Sequence, residues 1–258
     1  MNEILKIVEI AKYTFVEIYK GKIFYILLIL GITLVLLTYI ASEFAYGVPA
    51  RIALDFGLGS LYLSSSGIAL FLGATLISRE IESRTVYMIL SRPLTRTSFL
   101  LGRILGMLGI IFVNNIVLAG LTLTIYFLMN GDYQSLILWC IFFSILESTT
   151  VLLIVILFSL ISNVIITFLS TLVIYIIGHA ITDAMALPLV KDNVFINIIV
   201  KSYAFIFPDF SKLNIKNFVL YQQHLETGYL FSTLLYVLIY CVMLIVVSSV
   251  LFERKNLD

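Results

Sequence analysis

The sequence predicts an all-α, polytopic membrane protein, with six transmembrane helices, an N-terminal amphipathic interfacial helix and short helices in the last outer loop. Three observations predict it. The chain is 61% hydrophobic and only 12% charged, where soluble domains carry roughly 25% charged residues. No soluble fold of this length hides so much apolar surface, so the bilayer must serve as solvent. The apolar residues form runs long enough to cross about 30 Å of hydrocarbon at about 20 residues each. Charge is gathered between the runs: "SREIESRTVYMILSRPLTRTSFLLGR", from Ser78 to Arg103, holds five arginines and two glutamates.

The elements follow in order as one transmembrane domain over 1–258. In residues 2–20, Ile4, Ile7, Val8, Ala11, Phe15 and Ile18 share one helical face, and Glu3, Lys6, Glu9, Lys12, Glu17 and Lys20 the other. That pattern predicts an interfacial helix. Spans are expected at about 23–43, 57–78 and 99–129, with Arg103 snorkelling to the surface. From Tyr133 to Thr182 the only charge is Glu147. One helix over that stretch would measure about 75 Å, so the chain must turn, and Ser162-Asn163 supplies the break. Spans four and five are then about 135–161 and 164–187, with Pro188 ending the fifth; the sixth is about 228–252. The outer loop 188–227 is mixed polar and aromatic, and reads as short helices packed on the outer face.

Six spans place both termini on one side. That side holds 11 of the lysines and arginines and the other holds 5. The positive-inside rule makes the richer side cytoplasmic, together with the segment 79–97. The N-terminus lacks the order of a cleaved signal peptide and is expected to be retained. Cys140 and Cys241 sit inside apolar runs and read as small buried hydrophobes.

Several chemistries are excluded. There is no G-x-x-x-x-G-K-[ST] phosphate loop, no H-E-x-x-H and no G-x-S-x-G. Cysteine and histidine spacing offers no metal site. The chain is therefore expected to be no enzyme, to hold no cofactor or metal, and to take no nucleic-acid partner.

The charged stretch also interleaves Ile81, Val86, Met88, Ile89 and Leu90 with its charges before Pro93. A topological anchor needs no such apolar residues; a short helix packing on a cytoplasmic partner does. Here the sequence resembles the integral membrane permeases of type 2 ABC transporters. The resemblance rests on Glu80, Glu82 and Thr85, on "ILSRPLTR" at 89–96 and "GRILG" at 102–106, on "FPDFSKLNI" from Phe207 to Ile215, and on the closing "LFERKNLD". Many members carry Gly before the Thr; this chain has Arg84. The resemblance covers essentially the whole chain. It implies a permease subunit, most readily an exporter, in a prokaryotic plasma (inner) membrane. It implies pairing with a second copy as a homodimer and docking of two ATP-binding subunits, which would carry ATP and Mg. The coupling and partner-binding residues it implies are Glu80, Glu82, Arg84, Thr85, Ile89, Leu90, Arg92, Pro93 and Arg96.

Other residues stand out on their own. Glu147 lies near mid-bilayer, where a charge must face protein or a cavity. With Asn114 and Asn115 it suggests a polar translocation path; the alternative is a hydrogen-bonded clasp between helices. His179 and Asp183, four apart, suggest a pair. Gly102, Gly106 and Gly109 form a small-residue strip for close helix packing, within the subunit or between subunits. Trp139 and Tyr229 suit an interfacial belt. Two other classes remain: a structural or receptor-like membrane protein without ATP coupling, and an intramembrane enzyme using Glu147 and His179, which are expected to lie at different depths.

Overall fold

The structure is a computed structural model that describes residues 3–45, 47–82 and 95–255, with side chains for all of these except 23, 27 and 77–82. The described residues form helices and no strands. They are α1 (Glu3–Tyr19), α2 (Lys22–Glu43), α3 (Pro49–Glu82), α4 (Arg96–Leu128), α5 (Ser135–Ser159), α6 (Val164–Ala186), α7 (Pro188–Asp192), α8 (Val194–Ile206), α9 (Lys216–Leu220) and α10 (Thr227–Arg254), with a single 3-10 turn at Phe210–Lys212. Six of them, α2 to α6 and α10, are long and apolar enough to cross a membrane. We call the end bearing both termini the base, and the opposite end the outer-loop end.

Backbone chemistry sets the breaks. Asn163 caps α6 by accepting from the Ile166 amide at 3.0 Å, so the long apolar stretch divides at 160–163 rather than running on. The Thr95 hydroxyl accepts from the Ser98 amide and opens α4 in the same way. α3 starts at Pro49, about eight residues before the expected span. Proline suits a first helical turn, and the two charges that interrupt the apolar run there are both partnered. The Arg51 guanidinium stacks 4.2 Å from the Tyr221 ring, and Asp55 accepts from Lys216 at 2.7 Å.

α3 is the enclosed centre of the bundle, flanked by α2, α4, α5 and α6. Leu54, Leu58, Tyr62, Ile68 and Leu72 of α3 join Ile104, Met107 and Ile111 of α4 and Phe143, Leu152 and Ile156 of α5 in one core. α2, α6 and α10 keep wide apolar faces exposed, including Leu36, Ile40, Ile165, Leu169, Ile239 and Val246. That is the arrangement expected where lipid is the solvent.

Two contacts refine the expected fold. The apolar stripe of α1 is covered in part by protein. α1 runs beside the first half of α4, and Ile10, Ala11, Thr14 and Phe15 lie against Gly102, Gly106 and Gly109, while Ile4 and Val8 stay exposed. The outer loop does not only rest on the outer face. α8 and the segment Phe210–Leu220 together are long and apolar enough for one broken span, bent by 65°. Phe210, Leu213, Ile215 and Val219 are buried in the main core.

Candidate functional site

The base is held together by charge-assisted bonds between distant parts of the chain. Arg96 Nη1 donates to the carbonyls of Phe252, Glu253 and Lys255, at 3.3, 3.0 and 2.9 Å. These belong to the last turn of α10, where carbonyls lack helical partners and the helix dipole favours a cation. The Lys255 ammonium donates to the Leu160 carbonyl at 2.6 Å, which ties the same end to the turn after α5. At the other side of α4, the Ser98 hydroxyl donates to Glu3 at 2.6 Å. This bond to the charged form holds the Glu3 carboxyl below its usual value.

Arg103 does not snorkel. It is 8% exposed, donates to Glu17 at 2.6 Å and to the Thr14 hydroxyl at 3.1 Å, and lies over the Phe99 ring. α1 supplies both oxygens, so the arginine has no need to reach solvent. The glycine strip belongs to this same contact within the chain. A Cβ on Gly106 would stand 2.7 Å from the Ala11 carbonyl, and one on Gly102 would stand 2.6 Å from Ile10 Cβ. Only hydrogen at those positions lets the two helices approach.

The implied coupling residues fall unevenly on this base. Glu80 and Glu82 lie on the helical backbone of α3, as its final turn. Arg84, Thr85, Ile89, Leu90, Arg92 and Pro93 lie outside the described residues. Arg96 is engaged by α10, a role that its motif position did not suggest.

At mid-membrane, Asn114, Asn115 and Glu147 are all fully buried. Asn114 Nδ2 donates to Ser65 of α3 at 3.3 Å. Asn115 Oδ1 accepts from Ser144 of α5 at 2.9 Å. The Glu147 Oε1 accepts from the Tyr175 hydroxyl at 3.1 Å and lies 3.1 Å from His179 Nε2, both on α6. These bonds join α3, α4, α5 and α6 through polar groups in otherwise apolar surroundings. In this conformation the three side chains act as clasps between helices.

His179 therefore pairs with Glu147 rather than with Asp183, which is exposed. The expectation that Glu147 and His179 lie at different depths is overturned. α5 and α6 run in opposite directions, and their crossing brings the two side chains to one level. Tyr175 and Phe210, which did not stand out in the sequence, complete this cluster. Phe210 stacks on the imidazole with centroids 5.6 Å apart, and the Ser211 hydroxyl donates to the His179 carbonyl at 2.8 Å. The sequence signal was there: Phe210 lies in "FPDFSKLNI", and Gly178 precedes the histidine.

Three cavities lie at the outer-loop end, one of them about 530 Å³ and lined by Arg51, Tyr126, Asp132, Gln134 and Tyr221. None of the three is lined by Asn114, Asn115 or Glu147. Among the described residues no three metal-ligating side chains converge.

A search of curated proteins finds no significant match. A family model described as "ABC-2 family transporter protein" matches residues 8–257. That match agrees with the six long apolar helices, and the chain belongs to the ABC-2 transporter family as a multi-pass membrane permease.

Proposed function

We propose that this chain is the membrane-spanning permease subunit of an ATP-driven exporter. Two copies pair, and each docks a separate ATP-binding subunit through segment 79–97 in the cytoplasm. ATP and Mg belong to that subunit, since the chain has no phosphate loop of its own. The surrounding membrane is the prokaryotic plasma membrane, with both termini cytoplasmic. Its charge split, 11 against 5, supports this orientation.

The observation that carries the reading is the stitched base. α3 and α4 have 34 and 33 residues, about 50 Å each at 1.5 Å per residue, against a hydrocarbon core of about 30 Å. Both can project from the membrane where segment 83–94 joins them. Arg96, Arg103, Glu3 and Lys255 fasten that projection to α1, α10 and the α5–α6 turn. A force on the segment then moves several spans as one body, which rigid-body coupling to a nucleotide-driven partner requires. Asn114, Asn115 and Glu147 become a translocation path only if the clasps between α3, α4, α5 and α6 part during the cycle.

The test is co-purification with the candidate ATP-binding subunit in nanodiscs, for wild type and for Arg84→Glu with Arg92→Glu. Arg96 is left intact because its reversal would also free α10. A complex of two permeases and two ATP-binding subunits with ATPase activity, lost on charge reversal, is the expected result. Failure of any such subunit to bind would overturn the reading. Undiminished binding of the reversed form would move the docking surface elsewhere on the base.

A further inference from the structure

The Glu147–His179 pair has a feature that a simple clasp does not need: it sits directly under the outer-loop segment that carries Phe210 and Ser211. Gly178 and His179 form the seat. A Cβ at Gly178 would stand 2.6 Å from the Phe210 ring and 2.9 Å from the Pro208 carbonyl, so the loop packs on bare backbone there. Phe210 then stacks on the His179 imidazole. Further along the loop, the Leu213 carbonyl and the Cys140 carbonyl each lie 3.1 Å from the Tyr62 hydroxyl and share its single proton. The loop, the imidazole and the buried carboxyl thus form one stack from the outer-loop end to mid-membrane.

We propose that Glu147 and His179 constitute a proton-binding site inside the membrane whose occupancy decides whether the outer loop is seated. With one proton between them the pair is net neutral, whichever group holds it. A second proton leaves an imidazolium beside a neutral acid, and loss of the proton leaves a carboxylate beside a neutral imidazole. Either state puts net charge into an apolar interior, where it draws water or moves the imidazole outward. Among the described residues no charged group is bonded to the pair. The titratable groups near Glu147 are Tyr62 on α3, Cys140 on α5 and Tyr175 on α6, and Lys216, the cation near Cys140, is already paired with Asp55 at 2.7 Å. The loop's Asp209 and Lys212 pair with each other at 3.7 Å, and Tyr236 of α10 is bonded to the Asp209 amide. His179 keeps 24% of its side-chain surface open and Glu147 keeps none, so the imidazole is the route by which the proton enters. Glu147 Oε2, buried without a hydrogen-bond partner among the described residues, is free to take it.

Cys140 is the built-in reporter, since it is fully buried beneath the seated loop. The full chain with Cys241→Ala is placed in nanodiscs, so that reagent reaches both faces. Labelling of Cys140 by a charged methanethiosulfonate is followed from about pH 5 to about pH 8, the range in which histidine-containing pairs change charge. Each rate is divided by that of Glu147→Gln/His179→Gln at the same pH, which removes the ordinary pH dependence of thiolate formation; Glu147→Gln alone serves if the double variant does not fold. The expected ratio has a minimum and rises several-fold on at least one side. Phe210→Ala, which removes the ring seated on His179 but leaves both members of the Glu147–His179 hydrogen bond in place, is expected to label fast at every pH. A flat ratio for the wild-type pair overturns the proposal, and so does protection of Cys140 in Phe210→Ala.

Discussion

Arg103 of α4 and Glu17 of α1 meet at 2.6 Å across 86 residues of chain. The guanidinium is nearly buried and the carboxylate is about half exposed, so solvent screens one partner only. Replacing Arg103 with Ala removes this bond, the bond to Thr14 and the cover over Phe99. The expected loss is about 1–2 kcal/mol, the lower part of the range for hydrogen bonds to charged groups. It is read as a fall in thermal midpoint in detergent. Exchanging the two residues, as Arg103→Glu with Glu17→Arg, should recover part of the loss, and a double-mutant cycle measures how much.

Gly106 and Gly120 lie on the same helix and should answer oppositely to alanine. A Cβ at Gly106 enters α1, 2.5 Å from Thr14 Cβ and 2.7 Å from the Ala11 carbonyl, whereas one at Gly120 meets nothing within 4 Å. Gly106→Ala is expected to cost about 1–3 kcal/mol through overpacking and to loosen α1. Gly120→Ala is expected to be neutral or to stabilise by up to about 1 kcal/mol from helix propensity. Limited proteolysis near residue 20 separates a loosened α1 from a global change. Equal behaviour of the two variants would mean that α1 does not need close approach.

The spans were legible because desolvation leaves no choice: a run of about 20 apolar residues in this composition must cross lipid. The start of α3 was hidden because Arg51 and Asp55 interrupt the run, and their partners Tyr221 and Lys216 lie 170 and 161 residues further on. Helix rotation was harder still. The glycine strip was visible as a packing surface, but nothing in its spacing named α1 as the partner. The fixed-depth estimate separated Glu147 from His179 because it ignored where antiparallel helices cross. The burial of Phe210, Leu213, Ile215 and Val219 in the core escaped for a similar reason. Each half of Val194–Leu220 is too short to span alone, and only Gly178 reveals a place for the bend.

The Glu3 carboxyl titrates below its usual value near 4.5, chiefly because the Ser98 hydroxyl donates to its charged form. The folded pKa is therefore lower than the unfolded one. Its contribution to stability is fully present above the unfolded value and is lost as pH falls through the lower folded value. Glu3→Gln should thus be less stable than wild type at neutral pH, and the two should converge in acid below the usual carboxylate range. The gap is expected to be small because Glu3 is exposed and screened. Thermal midpoints of both forms across that range check it, and a gap that widens in acid contradicts the assignment.

Arg96 joins the end of the charged segment to the end of the chain. It answers carbonyls at Phe252, Glu253 and Lys255 that no helical amide can reach. Arg96→Ala leaves them to solvent and removes a cation from the negative end of α10, at an expected cost of about 1 kcal/mol. The loss should be local, because α10 is also buried far from this turn, at Leu230, Thr233, Val237 and Cys241. Hydrogen exchange is expected to quicken in the last turn of α10 and hardly at all near Thr233, where that helix is buried. Lysine restores the charge on a side chain one atom shorter, and all three bonds come from Nη1 at the tip of the arginine, so Arg96→Lys should recover only part of the protection. In the complex with an ATP-binding subunit, Arg96→Ala should keep binding but weaken the link between ATPase rate and transport, because the segment then pulls on α4 without pulling on α10. Lost binding with an unchanged α10 terminus would instead make Arg96 a docking residue.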